Sequence, residues 1–159
     1  MTNPLNFHPP KPELSFFSRA VVQIGDPLSI GTTPFGYRRV VPILGGQFEG
    51  KLAAEVLPGG ADWQFSSPDN VAHLEARYTI RTPDGSLIVV HNRGLRHASA
   101  EILSAVMSGE IVDPATYYFR STPSFETASE KYAWLNKIVS VCSGMRTADT
   151  VILDFYEVL

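Results

Sequence analysis

The chain has 159 residues, 44% of them hydrophobic and 18% charged, with a formal net charge of −3. That length fits one domain with a sizeable core, and the acidic balance without a basic run argues against a nucleic-acid groove. The single cysteine, Cys142, excludes an internal disulfide, fits a reducing compartment, and reads as a buried, inert thiol in a strand.

Residues 1–12 hold Pro4, Pro9, Pro10 and Pro12, too many for a helix or a central strand. They read as an extended arm ahead of a single domain at 13–159. No basic-then-apolar leader opens the chain and no run has the length of a membrane span. The expectation is a soluble, cytoplasmic protein.

Leu14 to Ile24 is the first predicted strand, closed by Gly25-Asp26-Pro27. Pro27 to Gly36 reads as a loop by its punctuation, and Tyr37 to Leu44 as the next strand. Gly45-Gly46 and Gly59-Gly60 then bracket a short strand, Lys51 to Leu57, and suit the corners of a strongly bent sheet. The second pair leads into Asp62-Trp63, a carboxylate beside an indole just after a bend. Capping of that turn by Asp62 is the plainer reading of the same residues.

His73 to Arg81 alternates, with Ala76, Tyr78 and Ile80 on one face. Pro83-Asp84-Gly85 turns the chain and Ser86 to Asn92 returns, a hairpin. Ser99 to Ser108 is the one predicted helix, capped by Ser99 and followed by Gly109. Thr116 to Ser121 reads as a strand stopped by Pro123, and Phe125 to Tyr132 as a place for a helical turn. Trp134 to Ser143 and Thr150 to Val158 complete the chain as strands around Gly144-Met145-Arg146. About nine short strands with short connections and one short helix point to an all-β fold, a single antiparallel barrel.

Polar residues on inward positions of such a barrel are the informative ones. Strand parity gives Arg39, Asp62, Trp63, Tyr78, Asn92, Arg120, Trp134 and Asn136 as that set, with Lys137 turned outward. Each has a structural alternative: a buried Asn satisfies backbone, Tyr and Trp fill core, and an inward Arg pairs with a carboxylate. The combination suits an aromatic or carbonyl ligand carrying an anionic group. The four histidines are scattered, phosphate-binding and dinucleotide glycine loops are absent, and there is no Gly-x-Ser-x-Gly elbow. No metal and no cofactor is expected.

Several stretches together carry a family resemblance: Gly36-Tyr37-Arg38-Arg39, Phe48-Glu49-Gly50, Leu57-Pro58-Gly59-Gly60-Ala61-Asp62-Trp63, Asn92-Arg93-Gly94, Tyr118-Phe119-Arg120 and Tyr132-Ala133-Trp134-Leu135-Asn136. From about Phe16 to Val158 the chain resembles the bacterial and fungal "domain of unknown function 3237" proteins. The resemblance implies a compact antiparallel barrel of the lipocalin or allene-oxide-cyclase type. Some relatives have been linked to breakdown of lignin-derived aromatics by cofactor-free decarboxylation.

The resulting expectation is a cofactor-independent lyase or isomerase, or a decarboxylase, for a small phenolic or enolisable aromatic acid. Asp62 serves as acid or base, Arg120 holds a carboxylate or oxyanion, and Tyr78 hydrogen-bonds the substrate. Arg39, Trp63, Asn92, Trp134 and Asn136 bind it. A non-catalytic carrier with the same cavity and a structural oligomeric subunit are the alternatives. A dimer or larger homo-oligomer is expected because Leu135, Val139 and Val141 share the parity of Lys137.

Overall fold

The structure, a computed structural model, describes residues 3–159. Residues 1 and 2 of the proline-rich arm lie outside the described residues; the rest of the arm, through residue 13, is exposed. Ten strands follow in chain order: β1 (Leu14–Ile24), β2 (Leu28–Thr33), β3 (Gly36–Gly50), β4 (Ala54–Val56), β5 (Gly60–Ser66), β6 (Val71–Arg81), β7 (Leu87–His97), β8 (Tyr118–Glu126), β9 (Ser140–Arg146) and β10 (Thr150–Val158). One short helix, α1 (Ala100–Met107), lies between β7 and β8.

All pairings are antiparallel, and eight strands close a ring in the order β1, β10, β9, β8, β7, β6, β5, β3 and back to β1. β4 extends the wall between β3 and β6 where β5 has ended, and β2 folds back on β3 as a hairpin. The chain is thus an all-β closed barrel with two extra strands. Short, alternating strands produce this result because each must bury one face, and closure leaves the ring without an unpaired edge.

β8 alternates without a break, with Phe119, Ser121, Pro123 and Phe125 inward. A bulge between Phe16 and Ser18 lets consecutive Phe17 and Ser18 both be buried. Around Phe17, rings of Phe125, Phe155 and Trp134 have centroids 5.5–6.1 Å away, and Phe48 adds to the cluster at 5.1 Å from Phe155. Aromatic packing therefore fills one end of the barrel. Across the other end lies α1, whose Met107 Sδ is 3.7 Å from a terminal nitrogen of Arg39. Gly109, just beyond it, sits against Ala148 of the β9–β10 turn.

Several sequence expectations need correction. Residues 27–36 contain β2, because Gly31 absorbs an irregularity in its register and lets the hairpin form. Gly45-Gly46 lies inside β3: Gly46 has φ +136°, and a Cβ there would stand 2.1 Å from the Val21 carbonyl oxygen. The glycine allows β3 to bend where it pairs closely with β1, so the strand runs on through the bend to Gly50. Pro123 continues β8 opposite Asn92 of β7, and its carbonyl accepts from the Ser140 hydroxyl at 2.7 Å. Residues Ala133–Lys137 form a 3₁₀ turn, so strand parity does not apply there. Leu135 is consequently buried while Val139 is exposed, which removes part of the apolar outer stripe behind the expected oligomer. Gly144, Met145 and Arg146 belong to β9, with the turn at Thr147–Asp149.

Candidate functional site

The interior next to α1 contains a polar cavity. Its volume is about 50 Å³, room for a few waters. Its walls include Val22, Ile24, Val41, Leu74, Phe119 and Leu153. Asp62, Gln64, Tyr78, Asn92, Arg96, Ser121 and Arg146 supply its polar groups.

Asp62 is placed by an opening between two strands. β5 and β6 pair at Asp62–Ala76 and again at Phe65–His73, with no pairing between. The Glu75 N–H, left without a ladder partner, donates to Asp62 Oδ1 at 2.9 Å. Gln64, two residues on and so on the same face, donates its Nε2 to Asp62 Oδ2 at 2.6 Å. Gln64 Oε1 in turn accepts from Arg39 Nε at 2.9 Å. Arg39 therefore stands beside the cavity and reaches Asp62 through Gln64. Burial raises the Asp62 carboxyl above its usual range, while those two hydrogen bonds and the charges of Arg96 and Arg146 hold the rise in check.

The two other guanidinium groups have no such partner. Arg96 is 3% exposed and Arg146 5%, and neither is in an ion pair among the described residues. Burial pushes Arg96 down to about 10, helped by repulsion from Arg146 and then Arg39. Arg146 is likewise pushed down to about 10, by burial and by Arg39. Both remain charged at neutral pH. Among the described residues, five buried side-chain polar atoms lack a hydrogen-bond partner: Tyr78 Oη, Asn92 Oδ1, Arg96 Nε, Ser121 Oγ and Arg146 Nε. All five residues line this one cavity. Native interiors leave few such atoms, so their concentration in one place marks a cavity whose polar groups are met by water or by a ligand.

Of the residues proposed from sequence, Asp62, Tyr78 and Asn92 meet in the cavity, with Arg39 behind Gln64. The others do not. Trp63 is 51% exposed and faces outward, the consequence of alternation beside inward Asp62. Arg120 also points out, donating to the Phe119 carbonyl and lying over the Tyr118 ring, because β8 buries its odd-numbered residues. Trp134 packs edge-on against Phe17 at the opposite end, under Lys51 Nζ. Asn136 is exposed and ties the Thr127 backbone by two 2.9 Å hydrogen bonds, one to its N–H and one to its carbonyl.

Sequence reasoning missed Gln64, Arg96, Ser121 and Arg146. The face shared by Ile88, Val90 and Asn92 would have reached Arg96 had that strand been extended four residues. Arg146 gave no such signal, since a Gly-Met-Arg segment also reads as a turn.

Comparison with known proteins decides the family. Residues 12–158 match the family described as "Protein of unknown function (DUF3237)". The chain belongs to the DUF3237 family. A UPF0311 protein of Bradyrhizobium diazoefficiens is 43% identical over 137 residues, 86% of this chain and 90% of that one. The DUF3237 barrel also superposes on solved structures. A Rhodopseudomonas palustris protein of unknown function is similar at TM-score 0.89 and 40% identity, covering 96% of this chain and 100% of that one. An Acinetobacter baumannii protein, described as beta-barrel like, is similar at 0.84 and 42%, covering 96% and 99%. A structure described as an enzyme from Penicillium herquei is similar at 0.72 but 21% identical, covering 96% and 98%, a likeness of fold alone.

Proposed function

We propose that the cavity is the active site of a cofactor-independent lyase or isomerase acting on a small phenolic or enolisable aromatic acid. The observation that carries this reading is the convergence of five unpartnered buried polar atoms around one buried carboxylate. Unpaired guanidinium groups select an anion, the apolar walls select an apolar body, and Asp62 supplies proton transfer.

In the step we propose, the Asp62 carboxylate removes a proton from a carbon next to a carbonyl. The C–H electron pair moves into the carbonyl, and the resulting enolate oxygen is held by the guanidinium groups or the Tyr78 hydroxyl. Return of the proton from Asp62 to a different carbon completes an isomerisation, while departure of a β-leaving group completes an elimination. Decarboxylation is favoured less by this arrangement. A carboxylate resting on Arg96 and Arg146 is stabilised in the charged form that it must give up. An aromatic ring requires more space than these 50 Å³, so its binding requires the cavity to widen.

The test is turnover of a panel of hydroxycinnamic, arylacetic and 2-oxo acids with added chelator, followed by mass spectrometry. Wild-type product that disappears in Asp62→Asn, with binding retained, supports the assignment. Full turnover by Asp62→Asn rules out the role of Asp62, and stoichiometric binding without product makes the barrel a carrier.

A further inference from the structure

Resting on the reading of the cavity as an acid-binding active site, the placement of charge narrows the substrate class. The cavity is divided into two levels. Arg96 stands opposite Ala72 of β6, and Asp62 opposite Ala76, which puts their backbones roughly 13 Å apart along the strand. Arg96 also pairs with Phe119 of β8, and Phe119 packs against Gly144, two residues before Arg146 in β9. Arg96 and Arg146 therefore belong to the same level, the one nearer α1, and are close enough to repel one another. Asp62, Asn92 and Tyr78 lie deeper, toward the aromatic plug.

Three guanidinium groups, Arg39, Arg96 and Arg146, face one carboxylate, Asp62, which Gln64 and the Glu75 N–H already engage. The other titratable side chains at the cavity or packed on it are Tyr78, Tyr117 and Cys142. Burial raises both Tyr78 and Cys142, so neither supplies a negative charge at neutral pH. Two adjacent buried cations are relieved best by two adjacent anionic oxygens. A carboxylate alone supplies one charge, and a second must arise beside it.

We infer that the substrate is an enolisable 2-oxo acid with an aryl or similar apolar group, bound with its carboxylate and neighbouring keto oxygen both on Arg96 and Arg146. That pose directs the carbon beyond the keto group toward Asp62. Removal of its proton leaves the electron pair on the keto oxygen, forming an enolate next to the carboxylate, where the two guanidinium groups wait. Ser121 can donate to the same oxygens, while deeper in the cavity the Tyr78 hydroxyl and the Asn92 carbonyl meet a hydroxyl on the apolar group. A 2-hydroxyaryl carboxylate would also present adjacent oxygens, but it lacks the acidic C–H that Asp62 needs.

The experiment uses phenylpyruvate as probe and 3-phenylpropionate, which lacks the keto oxygen, as control. Binding is followed by calorimetry, and exchange of the benzylic hydrogens for deuterium by proton NMR, against the spontaneous rate. The expected result is at least about tenfold tighter binding of phenylpyruvate, the worth of a charge-assisted hydrogen bond, with protein-catalysed exchange that Asp62→Asn abolishes. Arg146→Gln should erase the preference and Arg146→Lys restore part of it, which separates loss of charge from loss of fold. Equal affinity for the two acids overturns the inference. So does turnover of hydroxycinnamic acids with no exchange of phenylpyruvate, an outcome that leaves the lyase or isomerase reading standing. Failure of every acid in both panels to bind removes both.

Discussion

Arg146→Met should make the unliganded protein more stable, an unusual result for substitution of a buried charged residue. The Arg146 guanidinium is buried without a carboxylate partner, beside Arg39 and Arg96. Its pKa is lowered from the ordinary guanidinium value to about 10, which corresponds to roughly 3 kcal/mol of unfavourable energy for the charged form. Because the cavity admits some water, about 2 kcal/mol is the better figure. The sign follows from linkage. Folding lowers the affinity of this base for its proton, so the penalty is whole at every pH below about 10 and shrinks only as pH rises from there to the higher pKa of the unfolded chain. Methionine keeps the aliphatic stem, and relief of repulsion on Arg96 adds to the gain. Urea denaturation at neutral pH should show a gain of about 1–3 kcal/mol with unchanged slope, and a melting temperature raised by about 2–4 °C per kcal/mol. Anionic ligand should stabilise the wild type and lose its effect on the variant. A variant destabilised by about 2 kcal/mol or more would mean that the guanidinium is well compensated, and the argument from excess charge would collapse.

Other outcomes test the remaining links. Burial raises the Asp62 carboxyl, so proton abstraction should increase as pH rises through a value above the usual carboxylate range; the stability contributed by its protonated form fades over the same window, and Asp62→Asn should flatten both profiles. Gly46→Ala forces a Cβ into the Val21 carbonyl at φ +136°, and a loss of about 3 kcal/mol or more is expected by thermal or chemical unfolding; an unchanged midpoint would contradict the close approach of β1 to β3. Asn136→Ala removes two hydrogen bonds to Thr127 and should cost about 1–2 kcal/mol of stability while leaving ligand affinity unchanged, so a selective loss of binding would return Asn136 to the site.

The fold was largely legible because alternation is local. β1 and β10 match their predicted bounds within a residue, and the Ala76–Tyr78–Ile80 face and the Asp84-Gly85 turn need only neighbouring residues to be read. Ser99 and Gly109 mark the ends of α1 for the same reason. Part of the site was legible too: Tyr78 and Asn92 follow from parity within one hairpin, and Asp62 from its place after a bend. Parity failed wherever regular pairing stopped. At Trp134 and Asn136 the chain makes a 3₁₀ turn, and at Arg120 the inward face begins one residue away, at Phe119.

The sequence by itself determined that this chain forms a closed antiparallel barrel with a polar patch inside, since strand period, turn residues and glycine spacing act over a few residues. Only the tertiary structure decided which polar groups meet. Arg96 on β7 and Arg146 on β9 share one cavity because register and closure bring them there with Phe119 between. Those are sums over the whole ring, and a single bulge or turn changes which side chains face inward.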